Sequence, residues 1–279
     1  MAHRNLHEDD RLEDFMRREI TLNGVTKVVY VAGSGPAVIV MAEMPGIGPH
    51  VARFARWVRD AGLTVYLPSL FGRDGAVADA DLGAAVFRHA CISAEFRAFA
   101  ANQSSPQSSP VTQWLRALAK QAHDECGGPG VGAIGMCFTG NFALTMMLEP
   151  AVLAPVLCQP ALPLDDAAGI ETAPGELAAV RERLEREGLT VLAYRFEGDR
   201  FCRAQRFAAY AEALGERFVA HVLPDQAANS DVPSFFARHV ACPHSVVTVH
   251  LIDEAGQPTV AARDEILLFF RQSLGVADR

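Results

Sequence analysis

Long hydrophobic runs are missing from this sequence. No uninterrupted apolar stretch approaches the roughly 18 residues that a membrane-spanning helix needs. The opening M-A-H-R-N-L-H-E-D-D-R is polar and charged, without the apolar core of a secretory leader, so no leader is expected. Cysteine is present but unpatterned: positions 91, 126, 137, 158, 202 and 242 form no C-x-x-C and no framework spacing. That scatter argues against a structural zinc site and for buried thiols in a reducing compartment, so a cytoplasmic protein is expected. Positive charge is in deficit, with 25 Lys and Arg against 33 Asp and Glu, a net charge of -8. Such a surface repels phosphate backbones and anionic lipid, so neither nucleic acid nor membrane is an expected partner. A local basic pocket could still hold an acidic small molecule. No internal repeat and no shift in composition marks a second domain among the 279 residues.

What is present alternates between strand and helix signals. Residues 1–15 read as a polar, loosely ordered lead, and the domain is expected to span 16–279. Arg18 to Val31 suggests two strands around Asn23-Gly24, a hairpin dipeptide. Ala37 to Ala42 is an unbroken apolar run, as in a strand buried on both faces. In the predicted helix from Pro49 to Ala61, Val51, Phe54, Ala55 and Val58 share one face and Gly62 follows. Leu63–Leu67, Val131–Met136, Val152–Leu157, Thr190–Tyr194, Arg217–Val222 and Val246–Leu251 read as further strands. Residues 102–110 form a Pro-punctuated loop, and Ser109-Pro110 opens a helix that ends near Gly127-Gly128. Phe138–Leu148, Arg203–Leu214 and Ala261–Leu274 are the remaining helices. Strands separated by helices imply βαβ units and a mostly parallel sheet.

The stretch V-G-A-I-G-M-C-F-T-G-N-F-A-L carries the most chemistry. A buried strand runs into Gly135-Met136-Cys137-Phe138-Thr139-Gly140 and then into a helix. This is the context of a nucleophile elbow, where small neighbours allow a turn too sharp for side chains. The thiol would stand at the sheet's C-terminal edge over a helix N-terminus, which favours both a thiolate and an oxyanion. A buried structural cysteine is the competing interpretation.

Five segments resemble the dienelactone hydrolase family, a branch of the α/β-hydrolases in which Cys replaces Ser. They are V-I-V-M-A-E-M-P-G-I-G at 38–48, A-G-L-T-V-Y-L-P-S-L-F-G-R at 61–73, the elbow G-M-C-F-T-G, and F-E-G-D-R-F-C at 196–202 with P-H-S-V-V-T at 243–248. The resemblance implies an α/β-hydrolase-type, mostly parallel central sheet flanked by helices, a single domain with a lid-like insertion at about 74–110. It implies Cys137 as nucleophile, His244 as base, Asp199 as the residue orienting that base, and Glu43 near the thiol. The amides of Phe138 and Met44 would form the oxyanion hole. The implied activity is carboxylic-ester hydrolysis of the carboxymethylenebutenolidase type, on a lactone, enol-lactone or ester, with no organic cofactor and no metal.

Two departures stand out. Thr139 occupies a position where the family has Gly, and the stretch after His244, Ser245 to Thr248, lacks the Arg that follows the triad His in better-known members. The candidate clamps for a substrate carboxylate therefore lie in the insertion: Arg97, then Arg88 and Arg73. Among nine histidines, His250 and His239 compete with His244, and Asp225 and Asp231 compete with Asp199. His3 and His7, four apart, read as solvated residues. A thioesterase or acyltransferase on the same triad, or a non-catalytic ligand-binding module, stays open as an alternative.

Overall fold

The computed structural model describes residues 4–99 and 107–277. Its centre is an eight-stranded sheet in the order β1-β2-β4-β3-β5-β6-β7-β8. The strands are β1 (Met16–Leu22), β2 (Val25–Gly33), β3 (Ala37–Met41), β4 (Thr64–Pro68), β5 (Val131–Met136), β6 (Val152–Cys158), β7 (Val191–Phe196) and β8 (Phe218–Leu223). β1 and β2 are the expected hairpin, turning at Asn23-Gly24 where both residues hold positive φ. β2 pairs antiparallel with β4, and every later pairing is parallel. The central strands β3, β4 and β5 are buried at every position, which is why they read as continuous apolar runs.

Helices cover both faces. On one side α1 (Pro49–Asp60) and α8 (Pro258–Ser273) press Val51, Phe54, Val58, Ile266 and Phe270 into one core cluster. On the other, α3 (Pro110–Cys126), α4 (Phe142–Thr145), α5 (Glu176–Glu187) and α6 (Ala204–Leu214) contribute Trp114, Leu118, Phe142, Leu184 and Tyr210. Two further helices, α2 (Ala80–Ile92) and α7 (Ser234–His239), pack on each other above the strands' C-terminal ends. The architecture is that of a single-domain α/β-hydrolase.

Several local expectations are corrected. Arg4 to Phe15 is not loose: Leu12 and Phe15 are buried, and Arg56 of α1 grips Asp10 at 2.7 Å and Asp14 at 2.8 Å. Val246–Leu251 is a run of turns rather than a strand, because its apolar side chains fold inward behind His244. The helix expected over Phe138–Leu148 is broken into a 3-10 turn at Cys137–Thr139, the short α4, and a second 3-10 turn at Met146–Leu148. Most of the loop at 102–110 lies outside the described residues. None of the described helices is long and apolar enough to cross a membrane.

Candidate active site

Cys137 directly follows β5 with φ +55°, a left-handed backbone that a side-chain-bearing residue adopts only when its surroundings enforce it. The enforcement is visible. A Cβ on Gly135 would run into the carbonyl oxygen of Thr139, and one on Gly140 would come within 2.5 Å of the Pro160 Cα. The Cys137 carbonyl accepts from Gly140 N at 3.0 Å and Ala161 N at 2.9 Å, fixing the turn on both sides. Thr139 explains its own departure from the family pattern. Its buried hydroxyl accepts from Met136 N at 2.9 Å and faces the Met41 carbonyl at 3.1 Å, tying the end of β5 to the end of β3. A glycine there could make neither bond.

Asp199 follows β7 and is 4% exposed. One carboxylate oxygen accepts from the amides of Phe201 (2.8 Å) and Cys202 (2.9 Å), and the other accepts from His244 Nδ1 at 2.7 Å. With three donors around it, Asp199 sets the His244 tautomer, placing the proton on Nδ1 and leaving Nε2 to accept one. Burial alone would push the imidazole down, but the charges and hydrogen bonding of Asp199 and Cys137 hold it well above its ordinary value. Nε2 is buried and lacks a well-aligned partner in this resting geometry, a looseness common in unliganded sites. Phe201 packs its ring edge-on against the imidazole at 5.3 Å.

Cys137 and His244 share a chamber of about 230 Å³ whose other walls include Met44, Phe138, Phe87, Leu164 and Phe236. The amides of Met44 and Phe138 donate to no other group among the described residues, so both are available to an oxyanion in the chamber. Cys137 is the one cysteine of six that lines it. Burial raises Cys91 to about 11 and lifts Cys158 and Cys202 as well, keeping these as thiols. A larger cavity of about 800 Å³ adjoins this chamber without reaching Cys137; side-chain chemistry, not size, singles out the smaller one.

Glu43 is 2% exposed, and its carboxylate accepts from the hydroxyls of Ser245 and Thr248 rather than from the thiol. Burial raises its pKa, only partly offset by those hydroxyls and by the His244 charge. The turn bearing His244 is therefore gripped from behind. Ser245 N donates to His250 Nδ1 at 3.0 Å, and Val246 N donates to Gln159 Oε1 at 3.3 Å. This assigns His250 to the scaffold as a neutral acceptor, its pKa driven by burial down to about 3. His239 meets the Ala80 carbonyl at 3.1 Å and lines the chamber. Asp225 accepts from Gly198 N at 2.8 Å, and Asp231 lies near His7 on the surface.

Ser245, Thr248 and Gln159 were not anticipated. The hydroxyls were legible in P-H-S-V-V-T, but with Val246–Leu251 expected as a strand nothing pointed Ser245 and Thr248 together at Glu43. The arginines separate sharply. Arg97, at φ +48°, is buried and donates to the Ser108 carbonyl at 3.0 Å, outside the chamber. Arg73 is exposed and pairs with Asp9 at 2.6 Å beside the larger cavity. Only Arg88, on α2, lines the chamber, at its exposed mouth. Among the described residues no cluster of three or more His, Cys, Asp or Glu could hold a metal ion.

A strand-turn-helix elbow, an acid after β7 and a histidine turn after the last strand are the layout of an α/β-hydrolase. Residues 26–163 match the model of the dienelactone hydrolase family. A dienelactone hydrolase from Anabaena variabilis is similar at 15% identity and a TM-score of 0.58, covering 94% of this chain and all of that one. Est1E from Butyrivibrio proteoclasticus is similar at 11% identity and a TM-score of 0.56, over 93% of this chain and 99% of its own. An α/β serine hydrolase without a lid from Xanthomonas campestris is similar at 13% identity and a TM-score of 0.52, over 95% and 98% of the two chains. No curated protein matches the sequence. At these identities the structural likeness establishes the fold.

Proposed function

We propose that this protein hydrolyses a lactone, enol-lactone or carboxylic ester through Cys137, His244 and Asp199. The observation that carries the reading is the Asp199–His244 hydrogen bond, which leaves the other imidazole nitrogen free in the same chamber as the thiol of a strained elbow. His244 Nε2 takes the thiol proton, and the thiolate attacks the carbonyl carbon. The amides of Met44 and Phe138 hold the oxyanion. Collapse of the tetrahedral intermediate breaks the bond to the leaving oxygen, which recovers the proton from His244. His244 then deprotonates a water that attacks the acyl-thioester, releasing the acid and restoring the thiol. Thiolate is itself readily expelled, so activated esters and enol-lactones suit this nucleophile better than amides.

Glu43 enters as a positioning residue. Its bonds to Ser245 and Thr248 favour a role in fixing the His244 turn over direct activation of the thiol. Replacing Cys137 with Ala tests the reading: turnover of a nitrophenyl acetate is expected to vanish with the fold intact. Wild-type turnover in that variant would reject it.

A further inference from the structure

The cavity of about 800 Å³ beside the chamber shares Met44 and Phe236 with it. One part of its wall is the head of α1, formed by Gly48, Pro49, His50 and Val51. A helix start leaves amides without intrahelical partners, and here no side chain caps them and no acidic residue stands in the first turn. His50 and Val51 are both buried residues, and among the described residues neither amide finds an acceptor. The His50 side chain is an independent sign of a ligand. It is 6% exposed, its ring nitrogens have no hydrogen-bond partner among the described residues, and it borders the cavity. Burial and the neighbouring Arg53 push it down to about 4, so it is a neutral imidazole with one N–H to donate.

The acids around the cavity are each engaged elsewhere. Glu43 turns to Ser245 and Thr248, Asp9 is held by Arg73 and the Val77 amide, and Asp79 caps α2. What remains uncommitted is a set of donors at a positive helix end.

We propose that the head of α1 is a carboxylate subsite, formed by the His50 and Val51 amides and the His50 imidazole. It would hold the far end of an open-chain half-ester whose arm passes Met44 and Phe236 from the scissile carbonyl. This rests on the ester-hydrolase reading above and sets long-armed half-esters apart from compact lactones, which fill the smaller chamber alone.

The test uses nitrophenyl half-esters of dicarboxylic acids of increasing chain length, each against its neutral methyl diester. At one or more lengths the half-ester is expected to be preferred by about tenfold in kcat/KM, chiefly through KM. His50→Phe, which keeps the volume and removes the donor, should reduce that ratio to about one, while His50→Asn retains part of it. Gly48→Asp places a carboxylate on the same amides and should also erase the preference. Its backbone (φ -95°, ψ 179°) suits a capping residue, and its Cβ meets only the Ala76 carbonyl, at 3.1 Å. Calorimetric binding of the free dicarboxylate, lost in His50→Phe, reads the subsite without any turnover, so failure of the hydrolase reading would be told apart from failure of the subsite. No preference at any length, or a preference and binding that survive both His50→Phe and Gly48→Asp, overturns the proposal.

Discussion

At the C-terminal edge of the sheet, side chains are held from several directions: Asp199 by two amides and a histidine, Thr139 across two strands, and the His244 turn by Glu43, His250 and Gln159. The helical roof is built differently. Residues of α2 border three separate cavities, of about 230, 800 and 380 Å³, and its Leu82 and Ile92 lie largely in solvent. Its main packing partner is α7, itself a short helix. Bond-making geometry must be fixed to within fractions of an ångström. Substrate shape can be read by a looser surface, so in the proposed reaction the edge would set the reaction type and the roof the selectivity.

The largest way to break this division is Asp199→Asn, which keeps the shape but inverts the tautomer preference of His244. The expected loss is about a thousandfold or more in kcat, with circular dichroism unchanged, read from steady-state ester hydrolysis. A loss below about tenfold would move His244 out of the base role.

A glycine pair sharpens the contrast in stability. Gly140→Ala drives a Cβ against the Pro160 backbone and should cost about 3 kcal/mol in urea unfolding. Gly83→Ala on α2 brings a Cβ within 2.4 Å of the Phe235 ring, a side chain that can shift where the Pro160 backbone cannot, and gains helix propensity, so a smaller loss of about 1–2 kcal/mol is expected.

A third prediction concerns Glu171, buried and raised by burial to about 7 against the pull of Arg97, with Glu176, Asn141 and Arg116 also facing it. A carboxyl that holds its proton longer in the folded state contributes full stability below pH 4.5 and loses it as pH rises toward 7. Wild-type stability should therefore decline across that window by about 2 kcal/mol relative to Glu171→Gln. Parallel stability curves for the two proteins would show that Glu171 does not titrate there.

The smallest effect belongs to Arg88→Ala. Its side chain sits in solvent at the chamber mouth, where screening weakens a charge, so KM for an anionic ester should rise about threefold or less. A tenfold rise would make the mouth, rather than the head of α1, the main anion site.

Cys137, Asp199 and His244 could be placed from the sequence because each follows a strand or a Pro turn with a local signature. The central strands were equally readable, since burial on both faces leaves an unbroken apolar run. The roof was not. Arg97 was the first candidate to clamp a substrate carboxylate from the lid-like insertion. Yet α2 stops at Ile92, and the Arg97 backbone turns left-handed, carrying its guanidinium to the Ser108 carbonyl. Glu43 illustrates another limit. A carboxylate closing a buried strand announces a partner, but that partner was Ser245 and Thr248, some two hundred residues away, on a segment whose apolar spacing mimics a strand.

The central claim is that an acyl group rests on the Cys137 sulfur during turnover. Mixing the protein with excess nitrophenyl acetate, quenching in acid and measuring intact mass tests it directly. The account predicts one added acetyl per chain, mapped to the peptide containing Cys137, released by hydroxylamine and absent from Cys137→Ala. Turnover without any adduct on Cys137, or an equal adduct in Cys137→Ala, would contradict it.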